Sequence, residues 1–522
     1  MKIEADLVVL NANIITMDPA HPSASAIAAK NFKLLAVGRD EDVEELLPSA
    51  KRVIDLGGKT VVPGFVDAHT HITAEGLRAD HADLTGTRSV EDVKKVLSVA
   101  LPFHKPGDWV LGHGWDESQW AEKRYVNAED LDEVSTEYPI MIDRIDGHLT
   151  VANSVALKKL GLSLKNEGVM KDKKGKPTGV LKDIEDLYSK ITPTAEEIQK
   201  GVRRATRIAN EYGITTAVDN IGSGILRHIR ECELRNELTA RLVVNPRDDQ
   251  MTHMVKLGIT SAMGTPMVKI GGIKIFADGS IGARTAAISG TYKDDKKNHG
   301  RLLMTPKKLA KLVHQAVDSG IQTVTHAIGD AAIEMVISTF EGLSDTEKTL
   351  VRRQRHRIEH AEMISEDQIR RATSLGLILS MQPNFVGKWQ LAGGLYETRL
   401  EEEVVRGMNM FRVALDNGAR VCFGSDGMPY GPLYGIWSAS THPNQRVRLT
   451  PEEALRCYTL ESAYASFLEG TVGSIAVGKR ADFVVLSDNI LKVRPEGIAD
   501  VRIENTFVGG KEEFSAAKNR GV

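Results

Sequence analysis

The sequence predicts an α/β protein: a (β/α)8 TIM-like barrel, a small β-sandwich domain formed from both termini, and an inserted subdomain over the barrel mouth. Three observations carry this. Short β-branched runs alternate with helix-like segments through the middle of the chain, the rhythm of parallel βαβ units. Runs punctuated by Gly and Asp, as in hairpin-rich antiparallel sheet, occur at both ends. One interval between consecutive barrel runs is too long for a structureless loop and has strand-like and helical pieces of its own. A length of 522 residues suits this division, because a barrel takes ~250 residues as one domain where ~150 is usual.

From the N-terminus, "DLVVLNANIIT" (6–16) reads as two short strands broken by Asn11, and "AIAAKNFKLLAVG" and "KRVIDLGGKTVVP" continue the pattern. "GSIAVGKRADFVVLSDN" and "VRIENTFVGGK" return to it at the C-terminal end. Residues 1–60 with 470–522 therefore form one composite β domain, and 61–469 form the barrel. The eight barrel runs are 64–72, 215–221, 241–246, 273–278, 322–328, 356–361, 378–383 and 421–426. Segments 306–319 and 365–376 between them have helical apolar spacing, the second with Ser365 as N-cap and Gln368 three residues on. Residues 77–200 are the insert, with "DKKGKPTG" (172–179) as an exposed turn.

Composition narrows the function classes. Apolar residues at 42% and charged residues at 26% are ordinary for a soluble globular protein. Lys plus Arg (67) nearly balances Asp plus Glu (70), which offers no footprint for nucleic acid. No run of ~18 apolar residues suggests a membrane span, and the acidic start of the chain does not read as a secretory signal. Cys232, Cys422 and Cys457 cannot build a disulfide framework, so reduced thiols and a cytoplasmic location are expected.

The chemistry lies at the run ends. "VVPGFVDAHTHI" (61–72) closes an apolar run with Asp67, His69 and His71, and strand alternation puts the two histidines on one face. The fourth run carries Lys274 and ends in Asp278; the fifth ends in His326, the sixth in His360, the eighth in Asp426. The C-terminal ends of barrel strands converge on one face, so these residues meet in space. Imidazole nitrogen with carboxylate oxygen suits zinc or a similar divalent ion. Taken singly, a His-x-His is a polar strand end and Asp426 a turn aspartate; their joint order along a barrel favours a metal site. Lys274, as an ammonium, cannot be a ligand. It either pairs with Asp278 or is carbamylated to an anionic bridge between two metals; unpaired burial would be costly.

The stretches "VVPGFVDAHTHI", "GHGWDESQW", "MIDRIDGHLTVANSVAL", "KIFADGSIGARTA", "THAIGD", "RIEH", "FGSD" and "GSIAVGKRADFVVL" resemble the amidohydrolase superfamily, in its YtcJ-like branch (amidohydrolase family 3), which includes N-substituted formamide deformylases. The resemblance implies His69, His71, carbamylated Lys274, His326, His360 and Asp426 around one or two zinc ions, and by analogy a homodimer. It implies hydrolysis of an amide-type C–N bond of a small molecule by metal-activated hydroxide, with Asp426 as general base. In the insert, His148 is expected to hydrogen-bond the carbonyl oxygen as charge develops. Trp115 and Trp120 are packing residues or pocket walls, Arg144 contacts substrate or pairs with Asp146, and Asp278 and Arg284 border the pocket, Arg284 holding a substrate carboxylate or a local acid. A lactonase or esterase on the same site is the first alternative and a non-catalytic scaffold the second. A nucleic-acid deaminase has no support in the balanced charge.

Overall fold

The computed structural model describes residues 4–519 except 106, 164, 185, 186, 188–190 and 192. All eight predicted barrel runs are strands: β1 (Phe65–Thr70), β2 (Ile214–Ile221), β3 (Arg241–Pro246), β4 (Gly272–Phe276), β5 (Gln322–Ala327), β6 (Arg357–His360), β7 (Ile378–Met381) and β8 (Arg420–Phe423). Consecutive strands pair in parallel, in sequence order, at every step except β3 to β4, giving a TIM-barrel-type α/β fold. The link between β3 and β4 is made by one extended stretch. Val268–Ile270 pairs with β3, Gly271 interrupts, and β4 then pairs with β5. Among the described residues no ladder joins β8 to β1. There the Asp426 backbone N–H donates to the His69 carbonyl at 2.9 Å. A Cβ on Gly424 would sit 2.4 Å from the His69 nitrogen, so only glycine lets the two strands approach this closely.

Helices wrap the strands. α1 (Ile72–Arg78) follows β1, and α2 (Ala195–Glu211) precedes β2, capped by Thr194 and Glu197 reciprocally and burying Ile198, Val202, Ala205 and Ala209 at helical spacing. A Cβ on Gly76 would lie 2.0 Å from the Gly201 carbonyl oxygen, so α1 and α2 touch backbone to backbone. α2 thus belongs to the helical layer, and residues 195–200, expected in the insert, lie there instead. α3 (Pro306–Ser319) starts at the Thr305 cap and stops at left-handed Gly320; α4 (Glu366–Leu375) starts with the expected Ser365–Gln368 exchange and stops at left-handed Gly376.

The insert is a sheet of six strands, in the order Val169–Lys171, Pro177–Lys182, Leu149–Ala152, Ile140–Arg144, Val110–Trp115 and Ala82–Asp83. The expected turn 172–179 is shorter than read, because Pro177 already begins a strand. Part of the expected insert, 185–192, lies largely outside the described residues. The two ends of the chain meet in one sheet: Thr60–Pro63 pairs with Asn13–Ile15 on one side and Phe483–Leu486 on the other. Leu7–Leu10 belongs to a separate four-stranded sheet, and both sheets share one apolar cluster that includes Leu7, Ile27, Ile14, Val61, Phe483 and Phe507. Asn11 turns the chain between the first two strands at φ 50°. Among the described residues no helix is long and apolar enough to cross a membrane, and the three cysteines are buried and unpaired.

Candidate metal centre and active-site cavity

His69 is the penultimate residue of β1, but His71 lies beyond the strand and caps the N-terminus of α1. Simple alternation therefore does not align them; the turn into α1 does, with ring centroids 5.7 Å apart. The ligand atoms of His69, His71 and Asp426 all lie within 4.8 Å of one another. The row of imidazoles continues from His69 to His360 (4.8 Å), His326 (4.4 Å) and His148 (5.1 Å). Lys274 brings Nζ to 3.3 Å from His69 Nε2. The structure thus brings all six predicted ligand positions together. His360 and Asp426 sit at φ 69° and φ 52°, sparsely populated for such residues and held by the strand ends around them.

Buried partners aim these groups. His69 Nδ1 is hydrogen-bonded to Glu359, whose carboxylate is gripped by Arg357 at 2.7 and 2.9 Å. Nε2 is thereby left to face the centre. His326 Nε2 donates to the Gly279 carbonyl at 3.0 Å, which leaves Nδ1. Asp67 accepts from the Ser425 N–H and hydroxyl at 2.9 and 2.6 Å, tying the turn that carries Asp426 to β1.

Burial sets the protonation states. It drives the His69, His326 and His360 imidazoles well below their ordinary range, and His71 down to about 3, with neighbouring cations adding to the effect. All four are neutral near pH 7, the form that binds a metal. Burial lowers Lys274 to about 8 although Glu359 and Asp426 oppose it, and raises Asp426 to about 7 against the pull of Lys274. Both ring nitrogens of His360 and Oδ1 of Asp426 are buried without a hydrogen-bond partner. Such orphans are rare and costly in a folded protein. A divalent cation satisfies them, and the donor set of neutral nitrogen with carboxylate oxygen fits one.

A cavity of about 1070 Å³ opens above, lined by His71, His148, His326, His360 and Asp426, among others. A small chamber of about 20 Å³ adjoins it, walled by Phe385, Trp389, Tyr396 and Met428. His148 reaches in from the insert. Its Nδ1 is bonded to Asp183 Oδ1 at 2.6 Å; burial works against charge on the ring, but Asp183 prevails and lifts it to about 9. His148 is therefore an imidazolium with Nε2 available as a donor.

Other expected residues lie elsewhere. Trp115 and Trp120 are packed in the insert's own core, Trp120 donating Nε1 to the Thr87 carbonyl at 2.7 Å, and neither lines the cavity. Packing, not a pocket wall, is their place. Asp278 is also displaced from its expected role: it accepts the backbone N–H groups of Ala287, Ile328 and Gly329 within 3.0 Å, fixing two loops, and does not pair with Lys274. Arg284 is taken by Asp294 and Tyr125 and does not line the cavity, which corrects its placement there. Arg144 does line it, but spends its donors on Asp116, Glu117 and Asp146 at 2.8–3.0 Å. Sequence reasoning missed Glu359, adjacent to a histidine it did select; Asp183, whose role depends on how the insert docks; and Arg247, which directly follows β3.

Parallel strands in sequence order, wrapped by helices, whose ends gather neutral imidazoles and a carboxylate at a cavity floor define a protein of the metal-site TIM-barrel class. The chain belongs to the amidohydrolase family, whose model matches residues 52–513. It is 29% identical to the YtcJ protein of Bacillus subtilis (strain 168), covering 95% of this chain and 97% of that one. It is 26% identical to the N-substituted formamide deformylase of Arthrobacter pascens, with 97% of each covered. The crystal structure of an uncharacterized metal-dependent hydrolase from Pyrococcus horikoshii OT3 superposes with a TM-score of 0.76 at 25% identity, covering 94% of this chain and 99% of that one.

Proposed function

We propose that this chain is a metal-dependent hydrolase that cleaves an amide-type C–N bond of a small molecule in the 1070 Å³ cavity. The observation that carries the proposal is the set of orphaned buried donors, His360 and Asp426 Oδ1, beside the convergent His69 and His71. His69, His71, His326, His360 and Asp426 are the residues that would hold one or two zinc ions, and Lys274, as a carbamate, would add an anionic oxygen donor to that set. Burial favours the neutral Lys274 amine, which can add to carbon dioxide with loss of one proton. A bound divalent ion lowers the pKa of water from about 15.7 to about 7 and polarises a carbonyl.

The chain's own groups do the rest. Asp426, at the cavity floor, takes the proton of the attacking water and delivers it to the departing nitrogen. His148, fixed by Asp183, donates Nε2–H toward the carbonyl oxygen as negative charge grows there. Arg144 and its three carboxylates hold the loop that carries His148. The eight strands act as a barrel closed by the β8–β1 contact, and the two terminal sheets as a sandwich bracing it. The name of the formamide deformylase relative favours C–N over C–O cleavage.

The test is a panel of N-substituted formamides, longer amides, lactones and esters offered to zinc-loaded protein, with metal content measured by mass spectrometry. Asp426→Asn is expected to retain metal and lose turnover by ~10²-fold or more. Turnover of lactones alone would move the assignment to the C–O alternative; absence of bound metal from the loaded protein would remove the proposal.

A further inference from the structure

Most cations lining the cavity already have an acidic partner. Arg78 donates to Glu75 and Asp143, Arg144 to Asp116, Glu117 and Asp146, and Lys308 stands 3.7 Å from Asp248. Arg301 donates to the Lys182 carbonyl and lies 3.9 Å from Asp183. Arg247 is different. It lines the cavity, half-buried, and among the described residues its guanidinium meets no carboxylate; it stands over the Phe276 ring, 5.5 Å from the centroid. A cation held over an aromatic face is oriented without its donors being used. Lys388 sits in the π-helical segment Val386–Gln390 after β7 and, among the described residues, has neither an ion pair nor a ring beneath it.

The position of Arg247 makes this informative. It is the residue after β3, where its backbone bridges to Lys274. Phe276, on which it rests, is 5.3 Å from His326 and 6.4 Å from His148, centroid to centroid. The guanidinium and the imidazoles at the reacting end of the cavity thus share one neighbour, the Phe276 ring. Its planar fork matches a carboxylate bidentately, and such a charge-assisted pair is about twice as strong as a neutral hydrogen bond.

We propose that Arg247 is a specificity residue that binds a carboxylate on the substrate, so that the amide cleaved here belongs to an N-acyl amino acid or a similar acyl-amino carboxylate. This rests on the hydrolase assignment above and names its substrate class. Phe276 positions the fork, and the carboxylate docks on it while the amide carbonyl lies against His148.

The experiment uses N-formyl and N-acetyl derivatives of phenylalanine, leucine and glutamate, each as free α-acid and as α-carboxamide, with wild-type protein, Arg247→Gln and Arg247→Lys, all loaded with zinc. Thermal shift with each compound is recorded alongside kcat/KM. We expect wild type to prefer acid over carboxamide by tenfold or more, Arg247→Gln to abolish that preference, and Arg247→Lys to restore part of it. The acid-to-carboxamide ratio is internal to each protein, so a general loss of folding or metal does not imitate the result. Equal rates for acid and carboxamide in wild type, or a preference that survives Arg247→Gln, overturn the proposal while leaving the hydrolase assignment standing. Stabilisation of wild type by the acids but not of Arg247→Gln, with no turnover of any compound, upholds the carboxylate site and counts against the hydrolase assignment. If the acids are neither cleaved nor bound, the proposal is overturned.

Discussion

Glu359 and His69, on strands far apart in sequence, meet through a buried hydrogen bond that fixes which imidazole nitrogen faces the centre. Arg357 grips the same carboxylate and also donates to the Ala68 carbonyl, so the aim of His69 is locked from two strands at once. Partners of this kind typically contribute 10- to 100-fold to metal affinity. Glu359→Gln keeps the shape and loses the charge. We expect its zinc affinity, measured by competition with a chromophoric chelator, to fall in that range, together with a lower melting temperature because Arg357 is left buried without its counter-ion. Unchanged affinity would show that His69 is oriented by the backbone alone.

The His148–Asp183 pair makes stability depend on pH. His148 is raised in the folded protein to about 9 from 6.5, so its contribution is fully present below about pH 6.5 and is lost as pH rises through about 9. Asp183 is lowered, so its contribution is lost at the acid end instead. Between pH 6.5 and 9 the pair is expected to cost the wild type up to about 1.4 kcal/mol per pH unit relative to Asp183→Asn. Chemical denaturation of both proteins at several pH values reads this directly; parallel curves would remove the linkage.

Gly424 allows β8 to approach β1, and a methyl group there would press on the His69 backbone. Gly424→Ala is expected to push the Asp426 turn away, lowering both the melting temperature and the zinc bound per chain. Overpacking of this kind usually costs about 1–3 kcal/mol. Retention of full metal content would mean that the strands accommodate the methyl elsewhere.

Trp120 separates packing from substrate contact. Trp120→Phe loses the bond to Thr87 and part of a buried ring, and is expected to lower the melting temperature by several degrees. KM is expected to stay within about twofold, since the residue lies outside the cavity lining. A large rise in KM would return Trp120 to the pocket wall.

The clustering of the candidate ligand residues is legible in the sequence because one rule applies to most of them. A polar residue ending an apolar run is conspicuous, and barrel ends converge, so His69, His326, His360 and Asp426 could be gathered without knowing any distance. Arg247 falls one residue past the third run and escapes that rule, because a single arginine in "NPRDD" looks like an ordinary charged loop. Its lack of a partner is a property of three-dimensional surroundings. Arg284 shows the reverse: its neighbours in sequence mark it out, and in the fold Asp294 and Tyr125 claim it. Insert residues were read least well, because a strand-end rule says nothing about a sheet docked over the barrel. Asp183 acts only through that docking.

The pairing of Thr60–Pro63 with Phe483–Leu486, reinforced by the bidentate contact of Arg241 on β3 with Asp482, has a bearing on how the molecule is made. A nascent chain on the ribosome completes all eight central strands before the segment that covers Thr60–Pro63 has emerged. Until then that strand edge and Arg241 wait without partners, and contacts of such sequence separation form slowly. Truncation ahead of residue 480 would leave that strand edge and Arg241 uncovered, an adhesive edge open to pairing with other chains.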